Sequence, residues 1–138
     1  MKINLDTALV LIAAAREKSK EIGVPMVIAV VDAGGNLVAQ QRMDEALLVS
    51  IDISRNKAYT AVAVKIPTHE LATVSQSGQT LFGIHTTDGG RIVIFGGGFP
   101  LKIGDEIIGG IGVSGGSVED DIKCAEAGLE KLTAIGNS

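Results

Sequence analysis

The 138-residue sequence has no tryptophan, one tyrosine (Tyr59), three phenylalanines (Phe82, Phe95, Phe99), one cysteine and three prolines. So few aromatic rings leave little on which nucleic-acid bases could stack. No two lysines or arginines are adjacent and the net charge is −4, so the cationic footprint of a nucleic-acid or anionic-membrane binder is missing as well. A lone Cys124 excludes an internal disulfide, and without C-x-x-C-H there is no covalent haem attachment of the c type. The longest uninterrupted apolar stretches run about eight residues, far short of the ~20 that a membrane span requires. Asn4 and Asp6 follow Met1-Lys2 at once, and Arg16-Glu17-Lys18 closes the first apolar stretch without a small-residue cleavage site, an argument against a secretory signal and for a cytoplasmic protein.

What the chain has in excess is glycine. It holds 18, about 13% against a usual ~7%, and 15 of them fall at or after Gly78. The length and the 46% hydrophobic content predict a single domain over 1–138 with a core of its own.

Periodicity and capping residues divide the chain into elements. Asn4 or Asp6 can cap a helix over about 6–22 that Gly23 and Pro25 stop. Met26 to Val31 and Leu37 to Gln41 read as a hairpin around Asp32-Ala33-Gly34-Gly35-Asn36. A second helix spans 50–66, with Arg55 and Lys57 on its flanking faces; Pro67 ends it, and Thr68 can cap a short helix to about Gln76. Strands are predicted at 91–95 and 106–113, with Gly96-Gly97-Gly98-Phe99-Pro100 as a loop between them whose backbone can approach something closely. Ser117 and Asp120 begin a last helix with Val118, Ile122, Ala125, Leu129 and Leu132 along one stripe. The order αββααββα with hairpin-length connections predicts an α+β domain, an antiparallel sheet covered by helices.

Several short motifs carry chemistry only in the right surroundings. Gly110-Ile111-Gly112-Val113-Ser114-Gly115 fits a dinucleotide fingerprint, but no second parallel strand with an acid follows it. Gly112-Val113-Ser114-Gly115-Gly116 fits a nucleophile elbow, but both histidines precede the serine. The amides of Gly115, Gly116 and Ser117 at a helix start could hold an anion, which allows a small-carboxylate or corrinoid-related enzyme. His69 and His85 form no pair or cluster of zinc-binding spacing, although one imidazole suffices as an axial haem ligand.

Four segments taken in order carry a resemblance: Val30 to Gly35, Lys57 to Ala61 with Pro67-Thr68, Gly96 to Leu101, and Gly109 to Gly116. Together they resemble the GlcG/HbpS family, which includes the C-terminal domain of PduO-type cobalamin adenosyltransferases. The resemblance implies a profilin-like layered α+β domain, homo-oligomerisation, and haem binding or degradation in several members. It implies Thr68, with its neighbour His69, as the iron side of a haem site. Lys57 and Arg55 become partners for the propionates, and Gly97, Gly98 and Phe99 cofactor-binding positions. The first functional reading is therefore a small haem-binding protein that assists oxidative haem breakdown. The second is a non-catalytic accessory or assembly module of a diol- or glycerol-dehydratase or glycolate utilisation pathway.

Overall fold

A computed structural model describes residues 1–136. Four α-helices and four strands follow in the expected order: α1 Leu5–Ile22, β1 Val27–Asp32, β2 Leu37–Arg42, α2 Val49–Val64, α3 Thr68–Ser75, β3 Gly98–Ile103, β4 Glu106–Ser114 and α4 Val118–Gly136. The strands form one antiparallel sheet in the order β2-β1-β4-β3. Local chemistry sets the boundaries. The Asn4 side chain accepts from Thr7 N at 2.8 Å to start α1, and Gly23 at φ 73 closes it. Asp32 Oδ1 accepts from the amides of Gly34 and Asn36 and so shapes the β1–β2 turn.

The two faces of the sheet are built differently. On one, α1 and α4 bury large apolar side chains, among them Leu11, Ile12, Ile28, Ile111 and Leu132, each contributing roughly 1.5–3 kcal/mol. On the other, α2 lies almost on the backbone. The register aligns Gln40, Ala29, Gly112 and Gly98 in one row across four strands. A Cβ on Gly98 would run into the Lys57 carbonyl, one on Gly110 into the Ala58 carbonyl, and one on Gly112 into the Ser54 carbonyl and the Ala58 nitrogen. Gly98, Gly110 and Gly112 thus make a flat bed for one helix.

That closeness explains the one misplaced strand. The sequence predicts strand at 91–95 and loop at 96–100, whereas the strand beside β4 is Gly98–Ile103. Beneath the Lys57 carbonyl there is no room for a side chain, so the glycine-bearing segment takes the place that Ile92 to Phe95 would claim on β-propensity. Residues 91–95 instead run over α2, where Thr60 Oγ1 donates to the Arg91 carbonyl at 3.2 Å and accepts from Val93 N at 3.0 Å. Two short 3-10 turns, Ile84–Thr86 and Asp88–Gly90, precede this crossing. Tyr59, Asp88 and Arg91 fasten it: Tyr59 Oη donates to Asp88, and Arg91 Nη2 donates to Tyr59 Oη and to Asp88 Oδ1 at 2.8 and 2.9 Å.

β3 is an edge strand. Val113 N donates to Gly97 O at 2.9 Å, which makes residues 97 and 113 a hydrogen-bonded pair and turns the Gly98 and Pro100 nitrogens away from β4. The Gly98 amide donates to Thr68 Oγ1 at 2.9 Å. Thr68 is therefore not the cap of α3: Pro67 occupies that position without a side-chain bond, and the threonine hydroxyl is turned to the sheet edge.

Candidate functional site

The start of α3, the start of α4 and the 95–99 segment converge beside the β3 edge. Gly96 lies at the junction, where a Cβ would meet Ile122 Cδ1 at 2.7 Å, Val118 Cγ1 at 2.9 Å and His69 Cβ at 3.0 Å. The His69 ring packs on Phe99 with centroids 5.4 Å apart. Its Nδ1 is buried and no hydrogen bond reaches it, a condition it shares with His85 Nδ1. Phe95 and Val118 remain about two-fifths exposed, so the imidazole sits among apolar groups that solvent partly reaches.

Behind Phe95 lies a charge. Lys57 leaves α2 past Gly97 and places Nζ 2.8 Å from Asp121 Oδ2 and 2.8 Å from the Val113 carbonyl, with the Phe95 ring centroid at 5.1 Å. The side chains of Lys57 and Asp121 are 0% and 5% exposed. Gly97 at φ 123 leaves the passage open, since a Cβ there would stand 2.7 Å from Nζ. Burial lowers the Lys57 ammonium from its ordinary value against the opposing pull of Asp121. It raises the Asp121 carboxyl against Lys57 and the amides of Gly116 and Gly115. An ion pair enclosed in this way is expensive to break, because removing one partner leaves the other charge buried and uncompensated.

Six of the seven site residues expected from the sequence meet here: Lys57, Thr68, His69, Gly97, Gly98 and Phe99. Arg55 does not. It faces the β2 side of α2, in a shallow cleft with Gln40, Leu48 and Ile51, and pairs with Asp52 at 3.4 Å. Positions 55 and 57 of one helix point in nearly opposite directions. Lys57 is enclosed and not on a solvated face, so its charge reaches no propionate directly. Thr68 is fully buried with its hydroxyl oxygen occupied by the Gly98 amide.

Phe95 and Asp121 were missed from the sequence. Phe95 ends a run that its β-propensity marks as strand, and Asp121 stands in a run of three acids that reads as ordinary first-turn charge. Its spacing from Ala125, Gly128 and Leu132, all buried, is the signal that places it inward. The other motifs have structural uses. Ser114 bonds Ser50 Oγ at 3.0 Å within the core. The anion position at the start of α4 is filled by the protein's own Asp121, whose Oδ1 accepts from Gly116 N at 2.9 Å. Among the described residues there is no cluster of three metal-binding side chains, and no helix is long and apolar enough to cross a membrane.

Comparison with known proteins decides the family. Residues 3–130 match the family described as haem degrading protein HbpS-like. The chain belongs to the HbpS-like family. An uncharacterized 15.0 kDa protein of Citrobacter freundii, from the dhaT-dhaS intergenic region, is 48% identical over 133 residues, covering 96% of this chain and 94% of that one. The corrinoid adenosyltransferase PduO of Salmonella typhimurium is 44% identical over 119 residues, 86% of this chain but 35% of PduO, so the HbpS-like chain spans about a third of that relative. The crystal structure of a PduOC:heme complex superposes with a TM-score of 0.91 at 40% identity, covering 95% of each chain.

Proposed function

We propose that this HbpS-like protein binds haem beside the β3 edge, with His69 as the iron-side group. The observation that carries this reading is the half-buried His69 imidazole at this edge, packed on Phe99 and close to Val118 and Ile122, with no hydrogen bond to the protein holding its Nδ1. Haem requires one nitrogen donor and apolar walls, and this position offers both. The PduOC:heme complex, at 40% identity, supports the same reading. Thr68 acts by position, fixing the first turn of α3 to Gly98, while Gly96 and Gly97 let α3, α4 and Lys57 approach one another. Lys57 serves as a buried anchor for Asp121 and Val113, behind Phe95. When bound, the haem iron supplies the redox chemistry of oxidative breakdown; the chain holds and orients the ring and screens one face from water.

Titration with hemin tests the proposal. A Soret band shifted from that of free hemin is expected to saturate at micromolar protein, and His69→Ala to weaken binding at least about tenfold, the loss of one coordinate bond. Thr68→Ala keeps the imidazole and is expected to lower affinity less. An unchanged free-hemin spectrum at micromolar protein overturns the reading. Degradation is tested separately with peroxide: bleaching of the bound Soret band with iron release, faster than for free hemin, supports it.

A second reading, an accessory module of a larger pathway, is favoured by PduO, about a third of whose length this chain matches. Co-purification with a dehydratase or its reactivating machinery, without haem uptake, distinguishes it from the first.

A further inference from the structure

A second feature lies away from His69 and shares no residue with its surroundings. The C-terminal half of α1 and the end of β2 enclose a cleft of about 550 Å³ lined by Arg16, Lys20, Gln41, Arg42, Met43 and Asp44. Three cations and one carboxylate leave it a local charge of about +2 in a protein whose net charge is −4. None of the three forms an ion pair with a described residue. Both guanidinium groups are held by neutral acceptors: Arg42 Nε and Nη2 donate to the Ala46 carbonyl at 3.2 and 2.9 Å, and Arg16 Nη1 to Gln41 Oε1 at 3.5 Å. A carbonyl or amide oxygen orients a guanidinium without neutralising it, so these groups keep their full charge and a remaining edge for a ligand. Arg16 and Lys20 stand one turn apart on α1, a like-charge spacing that is mildly unfavourable unless an anion sits between them. The helix dipole accounts for Lys20 in the last turn of α1; it does not account for Arg42, which approaches from β2.

We propose that this cleft binds a small, doubly or triply charged anion, a compact polycarboxylate or a phosphate, through bidentate guanidinium contacts from Arg16 and Arg42 and a point charge from Lys20. The site is open to solvent, so affinity is modest and falls with ionic strength. The proposal stands independently of haem binding.

The test is an amide chemical-shift titration of the whole chain at low salt, with citrate and with inorganic phosphate in separate arms. Saturable shifts at Lys20, Gln41 and Met43 are expected with at least one of them. Response to citrate alone identifies a carboxylate site, and response to phosphate alone a phosphate site. Lys20→Gln breaks no bond within the protein and should weaken binding about fivefold. Arg42→Lys keeps the charge, loses the fork, and should weaken it by a similar factor. His69→Ala should leave the titration unchanged. The proposal fails if neither anion gives saturable shifts by about 20 mM, if chloride at equal ionic strength moves the same amides equally, or if Lys20→Gln and Arg42→Lys both bind as the wild type does.

Discussion

At the scale of single residues, the most consequential pair is Lys57 and Asp121. Each is enclosed with its charge answered by the other and by backbone groups, and for Lys57 also by the Phe95 ring. Asp121→Asn leaves an uncompensated ammonium in the interior and is expected to lower stability by about 3–5 kcal/mol, measured by urea unfolding. The double variant Lys57→Met/Asp121→Asn should recover much of that loss, because methionine follows the same path without a charge to desolvate. A double variant no more stable than Asp121→Asn would show that the pair contributes by shape alone. Lys57 was recognisable in the sequence as a candidate, but its burial was not, since a lysine two positions from a solvated arginine reads as surface. What draws it inward is the gap left by Gly97, a tertiary circumstance. His69 was likewise recognisable by type and by its place after Pro67-Thr68, whereas its unpartnered Nδ1 follows from packing against Phe99 and α4.

At the scale of elements, the helices were legible because their signals are local. Asn4, Gly23 and Ser117 act within a turn of where they stand, and Ser117 Oγ does accept from Asp120 N at 3.1 Å. The β3 strand was not legible: Ile92 to Phe95 has the higher β-propensity, and the decision rests on the clearance beneath α2. This gives a contrast between two glycines. Gly112→Ala forces α2 off the sheet at Ser54 and Ala58 and is expected to cost more than about 3 kcal/mol, or to prevent folding, as overpacking against rigid backbone does. Gly78 has open space around it but φ +88, so Gly78→Ala should cost only the left-handed strain of about 1–2 kcal/mol. Thermal or urea unfolding of the two variants side by side measures the difference; equal losses would mean that conformation, not proximity, explains the glycine row.

At the scale of the whole molecule, the family match over 3–130 and the layered fold agree with the expectation drawn from four ordered segments. Those segments coincide with the hairpin turn, the α2–α3 junction, the β3 start and the glycine bed, all places where backbone approaches backbone and few residue types fit. Cys124 lies fully buried between α4 and the sheet, and burial, with Asp121 and Asp120 adding to it, pushes its thiol up to about 11 from an ordinary 9.0. The folded protein therefore holds this proton where the unfolded chain has lost it, and stability from this group falls as pH rises from about 9 to about 11. The stability advantage of the wild type over Cys124→Ala should shrink across that window by about 2 kcal/mol in urea unfolding. At pH 8 the thiol should react with alkylating reagents only as fast as the protein opens.

The outer side of β3 has one further consequence. Of the amide groups that point outward at its start, the Gly98 N–H is taken by Thr68 and Pro100 has none to offer. A neighbouring chain approaching this margin finds no run of donors to zip onto, and Gly98 to Leu101 are buried, so the sheet is terminated there by chemistry as well as by cover. The same threonine that steadies the proposed haem-side helix thereby guards the protein against growth by strand addition.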